Sequence, residues 1–152
     1  MTVETIKDIL ELTRRLHANL ADKLKCAAKD AQQEKLRMLL DYLSQHEQEL
    51  SRAIALSEKD TEKAVLQTWC AEYFDKHPFK LETLGNLDFA NMSTGDVLRS
   101  LLAVHDRIID LYRYLSTRAE VSSTEELLNG LLALEQHEIM RMIRDAEKLE
   151  DL

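Results

Sequence analysis

The sequence LSQHE at residues 43–47 returns as LEQHE at residues 134–138, and each copy lies within a long stretch whose apolar residues have helical spacing. A second helical stretch precedes each copy and carries a histidine near its centre, His17 in the first case and His105 in the second. The chain therefore consists of two similar helical hairpins, each with a histidine on one arm and a His-Glu pair on the other. Packing one hairpin on the other predicts a single polar layer across a helical bundle.

The composition is that of one folded domain covering residues 1–152. Hydrophobic residues make up 45% of the chain and charged residues 32%, and three Gly and one Pro leave room for long uninterrupted helices. The net charge of −8 argues against nucleic acid and against anionic membrane surfaces as partners. No apolar run approaches the roughly 18 residues of a membrane span. The first residues lack the pattern of a signal peptide, and two cysteines imply no disulfide framework, so we expect a cytoplasmic protein.

Four long amphipathic helices follow from apolar residues at three- and four-residue intervals. Their expected ranges are about 2–29, 31–57, 94–120 and 123–150. A short helix at about 61–74, ended by His77-Pro78, and an irregular segment up to Met92 form a crossover that covers the bundle. Trp69 is expected on the packing face of the short helix. The predicted fold is an all-α, antiparallel four-helix bundle with a long crossover between the second and third helices.

Polar residues that suit helix N-caps precede each long helix. The expected caps are Thr2 for the first helix, Asp30 with Gln33 for the second, Ser93 with Asp96 for the third, and Ser122 or Ser123 for the fourth.

Each long helix has a histidine or a glutamate near its midpoint, and antiparallel helices of similar length bring their midpoints to one height. These midpoint residues are His17, Glu47, His105 and Glu138. His46 and Glu47 flank the apolar stripe of the second helix on opposite sides, so either can point inward. On the fourth helix Glu135 is near the middle of the apolar face, Glu138 is toward one edge, and His137 points away. His46 and Glu135 are therefore alternate or supporting ligands.

Imidazole and carboxylate groups are together the usual protein ligands of iron, manganese and zinc. Buried groups of this kind need a partner, which is either a metal ion or one another. Two buried His–Glu pairs, one with His17 and one with His105, satisfy the same groups without a metal. Such a polar layer would fix the register of the helices.

The duplicated hairpin, the long crossover and the polar mid-bundle layer resemble the ferritin-like (rubrerythrin-type) superfamily over nearly the whole chain. The resemblance implies a metal site whose ligands are Glu on the first and third helices and Glu-x-x-His on the second and fourth. This chain departs from that pattern: it has Thr13 or His17 on the first helix, Leu43 before His46 on the second, His105 on the third, and Glu135 followed by Glu138 on the fourth. Tyr112, seven residues after His105, is similar in spacing to a tyrosine of the family.

The sequence thus supports a small ferritin-like bundle with a variant His/Glu metal site, and it leaves open whether the protein is an enzyme because nothing identifies a substrate. The alternative is a metal-free relative of the same fold that forms a homodimer or binds a protein partner. The region of Met140 and Met142 and the aromatic cover are its candidate contact surfaces.

Overall fold

The computed structural model describes residues 3–70 and 86–151, and their regular structure is helical apart from one antiparallel bridge between Thr5 and Trp69. In chain order the helices are α1 (Ile6–Asp30), α2 (Glu34–Asp60), α3 (Lys63–Leu66), a 3-10 turn (Phe89–Asn91), α4 (Thr94–Arg118) and α5 (Ser122–Glu150). Among the described residues, none of these helices is both long and apolar enough to cross a bilayer.

Two helices begin at side-chain caps. At the start of α1, the Thr5 hydroxyl accepts a hydrogen bond from the Asp8 amide at 3.4 Å, and the Asp8 carboxylate accepts one from the Thr5 amide at 3.2 Å. This capping box lies three residues after the expected cap Thr2, which is outside the described residues. At the start of α4, the Ser93 hydroxyl accepts from the Asp96 amide at 3.1 Å, as the sequence predicted.

The other two predicted caps are wrong. Asp30 is the last residue of α1, and α2 begins after Gln33, whose side chain makes no capping bond within the described chain. Ser122 is already the first residue of α5, where Val121 occupies the cap position. In both cases a neighbouring residue takes the extended cap conformation because core packing, rather than capping chemistry, fixes where the helix starts.

The four long helices pack around one hydrophobic core. α1 contacts α2 along its length, α4 contacts α5, and α2 also contacts α5. Side chains of α2 bond to the backbone of α1: the Ser44 hydroxyl donates to the Ala21 carbonyl at 2.7 Å, and the Ser51 hydroxyl donates to the Arg14 carbonyl at 3.1 Å. These bonds fix how α2 lies along α1.

The crossover is less helical than the sequence predicted, as far as it is described. The expected helix at 61–74 is a single turn, Lys63–Leu66, and residues 71–85, which include His77 and Pro78, lie outside the described residues. Trp69, expected on a packing face, is 65% exposed, whereas Phe89 is buried in the core. Residues 68–70 attach to the start of α1 through backbone hydrogen bonds at Ile6 and Cys70.

Candidate metal centre

Four buried polar residues, one from each long helix, meet in the core. They are His17 of α1, Glu47 of α2, His105 of α4 and Glu135 of α5, and none is more than 1% exposed. Leucine, isoleucine and valine residues occupy the same helix faces above and below, so the four side chains lie in an otherwise apolar interior. We call this cluster the buried ring.

The buried ring is closed because every imidazole nitrogen of the two histidines faces a carboxylate oxygen. His17 Nδ1 is 2.6 Å from Glu47 Oε2, and its Nε2 is 2.5 Å from Glu135 Oε1. His105 Nδ1 is 2.8 Å from Glu135 Oε2, and its Nε2 bonds to Glu47 Oε1. The two imidazoles lie 5.1 Å apart, centroid to centroid, with their planes inclined by 38°. Each glutamate therefore bridges both histidines, and each histidine bridges both glutamates.

With both carboxylates ionised, as the lowered pKa values of Glu47 and Glu135 indicate, the pattern sets the protonation of the ring in the absence of a metal. Ionised carboxylates only accept hydrogen bonds, so four contacts with nitrogen require four N–H donors. Both histidines must then be imidazolium cations, and the two positive charges balance those of Glu47 and Glu135. The buried ring is electrically neutral as a whole, which is what allows four ionisable groups to lie in an apolar core.

The pKa values follow from the same contacts. Burial lowers the pKa of His17, but the charges and hydrogen bonds of Glu135 and Glu47 outweigh it and raise that pKa to about 9. Burial likewise opposes protonation of His105, and the same two glutamates raise its pKa to about 10. For Glu47, burial favours the neutral acid, yet His105 and His17 lower its pKa to about 2. The pKa of Glu135 is also lowered, by the two histidines against the effect of burial.

A second His-Glu contact lies beside the ring, nearer the surface. His46 Nδ1 is 2.9 Å from Glu138 Oε2, and the two residues are 7% and 6% exposed. Arg141 donates to the other oxygen of Glu138 at 3.0 Å. The Tyr42 ring contacts the His46 imidazole with centroids 4.3 Å apart, and its hydroxyl donates to Asp145 at 2.6 Å.

The structure brings together His17, Glu47 and His105 from the predicted midpoint set, and it places Glu135 rather than Glu138 against both histidines. Glu138, one turn further along α5, contacts His46 instead. His137 is exposed, as predicted. The sequence left open whether His46 or Glu47 points inward, and the structure buries both. Glu47 belongs to the buried ring, and His46 contacts Glu138 beside it.

Three residues near the second contact did not stand out in the sequence. Glu49, Arg141 and Tyr42 surround His46 and Glu138, and the sequence suggested only solvated charge or core packing for such positions. The signal that could have found two of them is spacing. Glu49 follows His46 by three residues and Arg141 follows Glu138 by three, and residues three apart share a helix face.

Tyr112 lies in the same core, about two turns along α4 from His105. Its hydroxyl donates to Thr13 Oγ1 at 2.8 Å, and Thr13 in turn donates to the Ile9 carbonyl at 3.1 Å. Burial and the charge of Glu135 raise the pKa of Tyr112 well above its ordinary value, so the phenol stays protonated. Tyr112 thus donates one hydrogen bond and adds no charge to the ring.

The donor set suits a divalent transition metal. One ligand atom each from His17, His105 and Glu135 lie within 4.8 Å of one another, and Glu47 contacts both histidines. In a tetrahedral site with metal–ligand distances of about 2.0–2.1 Å, neighbouring donors are about 3.3 Å apart. The nitrogen–oxygen distances of the hydrogen bonds in the ring are 2.5 to 2.8 Å. A metal would therefore need the ring to widen by about half an ångström and to lose protons.

No family model, no curated protein and no solved structure matches this chain. The function is therefore argued from the ring and from the helices that hold it.

Proposed function

We propose that the protein is an antiparallel four-helix bundle of ferritin-like topology that holds one divalent transition metal ion in the buried ring. Two histidines and two glutamates from four helices form the ligand set. The metal, which we take to be zinc, iron or manganese, ties the four helices together at mid-height.

Pairs of side-chain contacts support the proposed topology. In each of four neighbouring helix pairs, residue numbers rise along one helix while they fall along the other. The contacts are Ser44–Ala21 and Ser51–Arg14 for α1 and α2, Ser116–Asn129 and His105–Glu135 for α4 and α5, Tyr42–Asp145 and His46–Glu138 for α2 and α5, and Thr13–Tyr112 and His17–His105 for α1 and α4. These contacts support a topology in which α2 and α4 run in the same direction, as in bundles with one long crossover.

The observation that carries the metal assignment is the composition of the ring. Two carboxylates and two imidazolium ions sum to zero charge, and two carboxylates, two neutral imidazoles and one divalent cation also sum to zero. A divalent metal can therefore replace two protons without leaving net charge in the apolar core. A trivalent ion with both imidazoles neutral would leave one unit of positive charge buried, which is costly.

Metal binding must offset the free energy needed to deprotonate the two histidines. Removing one proton from each histidine at pH 7 costs about 3 and about 4 kcal/mol for pKa values of about 9 and about 10. Structural zinc sites supply about 10–16 kcal/mol at this pH. Because the bound metal must displace these protons, its binding should depend strongly on pH.

Burial of the ring favours a structural or storage role over catalysis. Catalytic metals keep an open position for water or substrate, whereas structural sites use four protein ligands. Here the four ring residues are the candidate ligands, and all are closed off from solvent. We therefore propose a site that retains its metal and stabilises the bundle.

Elemental analysis of protein purified without chelators from metal-replete cells tests the proposal. We expect about one equivalent of zinc, iron or manganese. The control is an apolar-ring variant with four substitutions, His17→Leu, Glu47→Met, His105→Leu and Glu135→Met. Replacing a whole buried ion network by apolar residues of similar volume is commonly neutral or stabilising, so this variant should fold and contain no metal. Equal metal in both proteins, or none in the wild type after reconstitution, would contradict the proposal.

A second candidate function is favoured by the completeness of the ring. The four contacts pair all four imidazole nitrogens with all four carboxylate oxygens, so a metal-free ring is a stable alternative that sets helix register. The protein would then act through its surface, as a homodimer or on a protein partner. Met140 is 70% exposed and remains a candidate contact, whereas Met142 is buried and drops out. Light scattering that shows a concentration-dependent dimer together with metal-free protein would support this candidate.

A further inference from the structure

We propose that His46, Glu49 and Glu138 form a separate metal-binding site near the surface that loads the buried ring with divalent transition metal. We call these three residues the edge site. The proposal rests on the function proposed for the ring, which has no exposed ligand through which an ion could arrive. One ligand atom from each residue of the edge site lies within 4.8 Å of the other two.

The edge site is next to the ring along both helices that carry it. His46 precedes Glu47 directly on α2, and Glu138 follows Glu135 by three residues on α5, which is less than one turn. Glu49 is exposed, whereas His46 and Glu138 are buried. The three residues therefore span the distance from solvent to the core at the height of the ring.

The present contacts of the edge site suit exchange of a ligand rather than permanent retention. His46 uses Nδ1 to contact Glu138, and Arg141 holds the other oxygen of Glu138. A cation at Glu138 would lie close to the positive charge of Arg141, whose side chain is 40% exposed and can move into solvent. The competition with a positive charge weakens binding here, so an ion can leave for the four-ligand ring.

The donor types of the edge site suit a transition-metal cation. Glu49 and Glu138 supply two carboxylates, of which Glu138 already pairs with Arg141, and the neighbouring Asp145 pairs with Arg144 and Lys148. The chain as a whole carries a net charge of −8, which raises the local concentration of divalent ions. An imidazole among these carboxylates selects transition metals over calcium or magnesium, which prefer oxygen ligands alone.

Cobalt(II), whose tetrahedral complexes absorb visible light, is the probe for a stopped-flow test on metal-free protein. Glu49→Gln removes the exposed ligand, and Glu34→Gln is the matched control, an exposed glutamate at the start of the same helix. We expect Glu49→Gln to slow the appearance of the tetrahedral spectrum about tenfold or more, the scale on which metal-site variants act. The final amplitude should be unchanged, and Glu34→Gln should behave as the wild type. Equal rates for Glu49→Gln and the wild type would overturn the loading role.

The apolar-ring variant separates this proposal from that of the ring. It should still bind cobalt(II) weakly at the edge site, and adding Glu49→Gln should abolish that binding. Cobalt uptake by the wild type but none by the apolar-ring variant would confirm the ring and overturn the edge site. Uptake by the apolar-ring variant equal to that of the wild type would support the edge site and contradict the ring.

Discussion

Two clusters of histidine and glutamate lie side by side on α2 and α5, and they differ in how completely each histidine is surrounded. In the buried ring, His17 and His105 each contact two carboxylates and have no exposure to solvent. In the edge site, His46 contacts one carboxylate, that of Glu138, which Arg141 also holds. The same residue types therefore form a closed neutral ring in one place and a partly solvated contact a few ångströms along the helices.

The difference shows what burial demands of ionisable groups. A buried charge is tolerated where every one of its hydrogen-bonding atoms has a partner of opposite charge, and the ring meets this condition. Near the surface, water and a mobile arginine supply part of the compensation, so an incomplete set of partners suffices. We expect the two clusters to respond very differently to the same substitution.

The largest difference is expected between Glu47→Gln and Glu138→Gln. Glu47→Gln leaves two buried imidazolium ions with one carboxylate, and breaking such a network costs about 3–5 kcal/mol. Glu138→Gln weakens the contacts with His46 and Arg141 but leaves an amide that can still bond, so about 1–2 kcal/mol is at stake. Urea unfolding of the metal-free proteins, followed by circular dichroism, measures both. Similar losses of stability would remove the distinction between the ring and the edge.

The metal-free protein should lose stability as the pH rises. The histidine pKa values are raised from 6.5 to about 9 and about 10, so their stabilisation is full below pH 6.5 and is lost as the pH passes through 9 and 10. The slope is at most about 2.7 kcal/mol per pH unit for two protons. Because the pKa of Glu47 is lowered to about 2, stability should also fall below pH 4.5. Thermal melts across this range, with the apolar-ring variant as control, test the losses of stability at high pH and at low pH. Parallel curves for the two proteins would contradict the charge assignment.

A smaller effect separates the two histidines of the repeated motif. His46→Ala removes one hydrogen bond to Glu138 and its contact with Tyr42, a loss of about 1 kcal/mol. His137→Ala alters an exposed residue and should change stability by less than about 0.5 kcal/mol. Chemical denaturation of both variants checks the order. An equal or larger loss of stability for His137→Ala would contradict the different surroundings assigned to His46 and His137.

The sequence predicted the helical fold class and most of the ring because both depend on the period of apolar residues. His17 and His105 lie within clean apolar stripes, and a polar residue in such a stripe faces the core wherever the helix packs. The position of Glu135 near the middle of the apolar face of α5 was also readable from the helical wheel. The sequence therefore indicated the residues of the ring, but it did not show whether Glu135 or Glu138 contacts the two histidines.

The choice between Glu135 and Glu138 depended on the height of each residue in the bundle. Matching helix midpoints favoured Glu138, but helices need not be aligned at their midpoints, and the two residues differ by less than a turn. The observed α2 ends at Asp60, three residues beyond the expected end. Helix boundaries are set by packing and by connections, which local patterns do not encode, so a height inferred from them is uncertain by about one turn.

Calorimetric titration of zinc into metal-free protein at pH 7, repeated in buffers that differ in ionisation enthalpy, tests the central claim most directly. The ring predicts about one zinc bound per chain and about two protons released, one from each imidazolium. The apolar-ring variant should show neither the tight binding nor the proton release. Absence of tight binding in the wild type, or the same binding and proton count in the apolar-ring variant, would contradict the assignment of the buried ring as a metal site.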